Sequence, residues 1–431
     1  MPAPAGLSRR RLTIGSIALA ALAALAALVA IRRSRIATAS DAGDLRLTVY
    51  LAVEISRETA IDKDLRREAQ ERVDALRDIF GRIYPGVNLE AQVFSEGQLV
   101  PEIRRRTHSG LGPDLLLVFE KTANELQSRG LTDPIPFPSP LSDALDPTLL
   151  KRVQLAPDRL FALPEALQPQ LACFDRSRIR RSPASLGELL RASSEGVRFG
   201  LPTDLLNLSW TLGALGALDD VAAVLEGRPV TPGMRAAIAG WLLWLRSADL
   251  QQRITLAGSQ QELLAGLRNG SLDWISCRSS DVAALRGSMG KRLGLASLPA
   301  GPGGPATPIS RLRVMAFGRN SSAGQRRAAE ALAAFLGNPQ MQRTFTLRTQ
   351  EQLPVNPGVP LPVASSADLQ ALVNAQKQAA TLEEQAVLSL PRPPGFEARV
   401  NRILTRFHLG DLDVTAATDA LIETMGNRPA R

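Results

Sequence analysis

Glu54, Glu96 and Glu120 each stand at or just after the end of an apolar, strand-like run. Three carboxylates at three equivalent strand ends form a polar wall able to accept hydrogen bonds from hydroxyls or to face a cation. Two readings stay open for each: a contact to a ligand, or an ordinary acid at a helix N-terminus, where the backbone dipole favours negative charge. Paired carboxylates also support glycoside chemistry, but nothing in the spacing singles out a pair. Other catalytic groups are scarce. His108 and His408 are the two histidines, and no nucleophile elbow, metal-ligand cluster, phosphate loop or dinucleotide fingerprint is present. "MGKR" at Met289–Arg292 lacks the glycine spacing and the following Ser or Thr of a phosphate loop. No cofactor is expected. Cys173 and Cys277 lie in apolar contexts without metal spacing and are expected to be buried small hydrophobes rather than a disulfide.

The elements that position these acids follow from periodicity. "LRLTVYLAV" (45–53) is continuous, apolar and rich in β-formers, as a buried strand is. Leu65, Ala69, Val73, Leu76, Phe80 and Ile83 recur at helical spacing, and "YPG" ends that helix. Strands are expected at 87–94 and 113–119, with a basic helix around 100–109 between them. Strand and helix alternating at this spacing predict a parallel sheet covered by helices, whose strand C-termini share one edge. Open sheets of that kind bind ligands along that edge.

Further on, 132–157 is Pro-rich and irregular, and 160–175 is extended. Ser185 and Glu188 have the spacing of a capping box. Helices are expected at 206–218, 232–247 and 260–269, with short strands at "VRFGLP", "LDWISC" and "LGLASLP". Trp241 and Trp244, at i and i+3 on an apolar helix, read as core. A Gly/Pro-rich loop then leads to the strand "RLRVMAFG". Helices alone are expected after it, at 324–337, 339–349, 366–380, 395–409 and 414–426.

At 431 residues, with 45% hydrophobic and 22% charged residues, the chain is globular and holds two or three domains. Its net charge of +9 invites a nucleic-acid reading. However, Arg9, Arg10, Arg11, Arg32, Arg33 and Arg35 carry six of those charges before any acid occurs, leaving +3 on the rest. No RNA-binding aromatic pattern or zinc-finger spacing accompanies the remaining basic clusters, so no nucleic-acid partner is expected. The first residues have a basic start, an apolar core from Leu12 to Ile31 and a small-residue end at Ala37-Thr38-Ala39. This is the layout of an export signal, with "SRRRLT" a weak twin-arginine match. The core is also long enough to span a bilayer, so cleaved signal and uncleaved anchor both fit residues 1–43. No cysteine follows it to carry a lipid.

"LFALPEALQPQLACFD" followed by "SPASLGELL" resembles the crossing strand and helix of the extracellular solute-binding proteins of ABC importers, in the maltose-binding-protein-like branch. "LLAGLRNGSLDWISC", "LGLASLPAGPGGPATP", "RVMAFGRNSSAGQRRAAEALAAFLGNPQMQRTF" and "HLGDLDVTAATDALIETM" match further pieces in family order, across nearly all of 45–425. The resemblance implies an α/β periplasmic-binding-protein fold of two lobes, 44–168 plus 314–353 and 169–313 plus 354–431. The chain would cross between them three times, near 166–171, 310–314 and 353–357. The Gly/Pro loop would sit at the mouth of the second crossing and absorb its dihedral change. It further implies a monomeric extracytoplasmic protein that binds a small solute and hands it to a membrane permease.

Carried over by position, the implied solute contacts are Glu54, Glu96, Glu120, Glu165, Gln168, Asp204, Asn207, Arg278 and Phe396, with Trp210 beside the "LPTDLLN" loop as a further one. The chain departs from the family in its shortage of cleft aromatics; "CRSSD" stands where a Trp is common. A small carbohydrate or glycosylated compatible solute fits best. A membrane-tethered sensor of the same fold and a polyamine-type binder are the alternatives.

Overall fold

The computed structural model describes residues 47–55, 63–379 and 395–426, with the side chains of 63–69 left undescribed. The expected export signal or anchor lies outside these residues. No described helix is long and apolar enough to cross a membrane.

The strands are β1 (Leu47–Ile55), β2 (Val87–Ser95), β3 (Leu115–Phe119), β4 (Thr132–Asp133), β5 (Ile135–Pro136), β6 (Gln154–Ala156), β7 (Arg159–Leu160) and β8 (Leu163–Asp175). They continue with β9 (Phe199–Pro202), β10 (Ile254–Ala257), β11 (Trp274–Arg278), β12 (Leu293–Ala296), β13 (Ser310–Gly318) and β14 (Leu353–Pro354). β1, β2 and β3 are parallel, and β13 and then β8 extend their sheet antiparallel. On the other side of β8 come β11, β9 and β10, so the order is β10-β9-β11-β8-β13-β3-β1-β2. The parallel half has the expected strand–helix alternation. Helices Lys63–Ile83, Glu96–His108 and Glu120–Ser128 lie between or after its strands.

β8 joins the two halves. Its first part pairs with β13 and β14 through Leu163–Pro169, and its second pairs with β11 and β12 through Gln170–Asp175. Pro169 stands at the change of partner. A proline there withholds no ladder hydrogen bond from a continuous neighbour, which is where a strand tolerates one.

The helices Leu218–Leu225, Pro232–Asp249, Phe396–His408 and Val414–Gly426 enclose a separate apolar cluster containing Trp241, Val400, Leu404 and Phe407. Helix ends follow the expected caps. Ser185 accepts the Glu188 N–H at 3.1 Å, while the Glu188 carboxylate accepts from Ala184 rather than from Ser185.

Several expectations change, and the short strand β14 among helices expected to stand alone is the first. The helix expected over 206–218 is two pieces, Leu205–Leu208 and Trp210–Ala214. It stops at Gly216, whose φ of +72° only glycine adopts without strain. Cys173 and Cys277 are fully buried as expected but are joined as a disulfide, with a Cα–Cα separation of 5.8 Å. The β8/β11 register sets Ile275 opposite Cys173 and Leu171 opposite Cys277, so the cysteines are diagonal neighbours on one face. Finally, the Gly/Pro loop is packed rather than free. Gly303 donates to the Ala214 carbonyl at 2.8 Å, and Leu186 donates to Ala300 at 2.7 Å. A Cβ on Gly303 would stand 2.1 Å from the Gly216 nitrogen, and one on Gly301 2.2 Å from the Ala214 oxygen. Glycine is required there for close backbone approach.

Candidate functional site

The parallel strands deliver their C-terminal acids to the junction between the half-sheets. Glu54, near the end of β1, is fully buried. Its carboxylate accepts the Phe119 N–H and the Thr122 hydroxyl, each at 2.7 Å, tying β1 to the turn after β3. Burial pushes its pKa up to about 7. The two hydrogen bonds pull the other way, and the nearby Glu96 charge adds to the rise. Glu96 and Glu120 each open a helix, so the dipole accounts for part of their placement.

Arginines meet these acids. Arg311 Nη1 lies 2.9 Å from Glu96 Oε1, and its guanidinium covers the Phe119 ring at 3.7 Å. Arg278, at the end of β11, reaches the same Glu96 oxygen at 3.9 Å from the opposite half-sheet. Arg313 Nε pairs with Glu165 at 3.1 Å while its Nη1 donates to the Glu54 carbonyl at 3.0 Å. Arg152 pairs with Glu120. Lys121, beside Glu120, pairs with Glu397, which joins the helices Glu120–Ser128 and Phe396–His408.

The middle of the junction is polar and under-satisfied. Gln168 and Gln170 share one face of β8, opposite Arg311 and Arg278 in register. Gln170 Nε2 donates to the Asn207 carbonyl at 2.8 Å, and Arg278 Nε donates to Asn207 Oδ1 at 3.3 Å. Asp204 caps the turn that holds Asn207, accepting its backbone N–H at 2.9 Å. Gln168 Oε1, Gln170 Oε1 and the hydroxyls of Ser279 and Ser280 are buried without a hydrogen-bond partner among the described residues. Buried acceptors left unpaired cost free energy, so a native protein keeps them where a ligand or water completes them.

The structure therefore brings together Glu54, Glu96, Glu120, Glu165, Gln168, Asn207 and Arg278, with Asp204 behind Asn207. Trp210 and Phe396 stand apart, because their apolar surface is spent on core packing. Trp210 is fully buried beside Ala172, Phe174, Phe199 and Trp274. Phe396 packs against Val400 and Leu404 in the four-helix cluster. Sequence reasoning missed Gln170, Arg152, Arg311 and Arg313. Arg311 and Arg313, two apart in a strand, carried a usable signal, since period two places them on one face. Among the described residues no group of three or more His, Cys, Asp or Glu is placed to hold a metal ion.

The family described as bacterial extracellular solute-binding protein matches residues 75–376. This chain belongs to that family. Solved structures of similar fold include the GacH receptor of Streptomyces glaucescens, determined unliganded and with acarbose (TM-score 0.71, 14% identity, 88% of this chain and 97% of that one). Another is a Thermotoga lettingae ABC transporter solute-binding protein bound with α-D-tagatose (0.68, 13%, 88% and 99%). A third is maltose-bound MalE3 of T. maritima (0.66, 15%, 88% and 99%). At such identities the likeness is one of fold. Comparison with curated proteins gives no match. The solute-binding protein is thus a mixed α/β chain whose architecture matches two-lobed binding proteins, and its polar junction lies where β8 passes from one half-sheet to the other.

Proposed function

We propose that this solute-binding protein is the capture component of an ABC importer, holding a small carbohydrate or glycosylated compatible solute between two lobes and passing it to a membrane permease outside the cytoplasm. The lobes are 44–168 plus 314–353 and 169–313 plus 354–431, hinged where β8, the start of β13 and the stretch around β14 cross. The observation that carries the reading is the set of buried, unpaired acceptors on Gln168 and Gln170 at the point where β8 changes partners. Hydroxyl donors of a sugar would complete them, and Glu96 faces arginines from both sides. The sugar and sugar-like ligands of the fold's solved neighbours support the same class. No bond chemistry is assigned to the site.

A polyamine is disfavoured, because Arg152, Arg278, Arg311 and Arg313 already neutralise the acids that would attract it. A thermal-shift screen against monosaccharides, disaccharides, glycosylated osmolytes and polyamines tests the reading. A ligand that binds only the folded chain adds about 2.7 kcal/mol at roughly 100 times its Kd. A carbohydrate should stabilise the wild type, and Gln168→Ala should weaken that solute's binding by about fivefold or more, since one hydrogen bond to a buried acceptor is worth about 1 kcal/mol or somewhat above. Stabilisation by polyamines alone would overturn the proposal.

A further inference from the structure

A cavity of ≈ 560 Å³ opens on the face of the first half-sheet and shares no residue with the junction. It lies where β1, β2 and the loop 109–114 meet. Its floor is apolar: Ala52, Phe94 and Ile103 are buried there. Its rim carries Tyr50, Glu90 and Gln92, all exposed. The register pairs Tyr50 with Glu90 and Ala52 with Gln92, so these three side chains rise from the same face. Strand geometry sets them about 4.8 Å apart across the sheet and about 6.6 Å apart along it. Polar side chains spaced in that way can reach different hydroxyls of one sugar. Neither the Glu90 and Gln92 side chains nor the Tyr50 hydroxyl makes a hydrogen bond among the described residues.

The walls are fixed. Tyr50 N–H donates to Asp114 Oδ2 at 2.9 Å, and Asp114 N–H returns to the Tyr50 carbonyl at 2.8 Å. Gly112 N–H donates to Asn320 Oδ1 at 3.2 Å, and a Cβ on Gly112 would stand 2.6 Å from that oxygen. A Cβ on Gly318 would stand 1.8 Å from the Pro113 carbonyl oxygen. The loop is therefore clasped in place before any ligand arrives, which removes the ordering cost of binding. The cavity's size falls in the range of small-molecule sites, about 300–1,000 Å³, and an apolar floor beneath a few convergent polar groups is their usual chemistry.

We infer that this cavity is a second, preformed solute site, separate from the junction, that takes a neutral polyhydroxylated molecule of mono- to disaccharide size. The half-exposed Tyr50 ring offers a face for the apolar side of a sugar. Glu90 and Gln92 accept from and donate to its hydroxyls. Anions are disfavoured, because Glu90 repels them and Arg106 on the same wall is already paired with Glu102 at 2.7 Å.

The chain has two tyrosines, Tyr50 and Tyr84. Tyr84 stacks on Phe80 at 4.6 Å, away from the cavity, so it serves as an internal control. The full chain labelled with 3-fluorotyrosine is titrated with glucose and with maltose, using glycerol as a small-polyol control, and followed by fluorine NMR. The Tyr50 signal should move saturably with one of the sugars while Tyr84 stays still. Glu90→Ala with Gln92→Ala should abolish the movement, the unchanged Tyr84 signal showing that the variant is folded. Gln168→Ala should leave the movement intact, whatever it does at the junction. A Tyr50 signal that never moves, that drifts linearly, that responds equally to glycerol, or that still moves in the double variant overturns the inference. None of these outcomes depends on whether the junction binds a sugar.

Discussion

Glu54 makes the strongest demand of any single residue. It has no exposed surface, yet it anchors the end of β1 through two hydrogen bonds. A carboxyl whose folded pKa of about 7 exceeds its ordinary 4.5 holds its proton more tightly when folded. Its contribution to stability is therefore full below pH 4.5 and declines as pH rises to about 7. The span corresponds to a change on the order of 3 kcal/mol. Glu54→Gln keeps an acceptor for the Phe119 N–H, replaces the acceptor of the Thr122 hydroxyl with an amide that donates to its oxygen, and removes the charge. Urea unfolding should show that variant more stable than wild type at pH 8 and flatter between pH 4.5 and 7; parallel curves would contradict this. Glu54, Glu96 and Glu120 were legible in the sequence because each stands at or just after a strand end marked by pattern. Arg152 was not, since it sits in a Pro-rich stretch without periodicity, and its approach to Glu120 depends on tertiary packing.

At the scale of elements, two devices tie distant segments together. One is the Cys173–Cys277 disulfide from β8 to β11, which closes a loop of sequence separation 104 and ends one residue before Arg278. Cross-links over loops of this order stabilise by about 2–4 kcal/mol. Cys173→Ala with Cys277→Ala should therefore lower the urea midpoint by a corresponding amount, and reductant should do the same to the wild type but nothing to the variant. Indifference of the wild type to reductant would count against a formed bond. The other device is the loop around Gly303, pressed on Ala214–Gly216. Gly303→Ala forces backbone apart and should cost about 1–3 kcal/mol, as overpacking does. A neutral substitution would show that this close backbone approach is not required. Apolar runs and caps made the long elements readable, and β8 was visible as an extended stretch despite Pro164 and Pro169. The disulfide and the packed loop were not readable, because both arise from register between segments distant in sequence. The helix over 206–218 was overread because a leucine-rich stretch hides the positive φ of Gly216.

At the scale of the molecule, the order of pieces in the sequence implied the family that the match over residues 75–376 shows, and an α/β fold of the kind its solved neighbours have. What pattern could not supply was the chemistry of the junction, where charges from both half-sheets meet on Glu96. The central claim is that one solute is gripped by both half-sheets at once. Hydrogen exchange on the full chain, with and without the carbohydrate that stabilises it most, tests this directly. The account predicts slowed exchange in two separate sets of amides, around Glu96 and Phe119–Thr122 on one side and around Asn207 and Arg278–Asp281 on the other. Protection confined to one side, or absent from both, would contradict it.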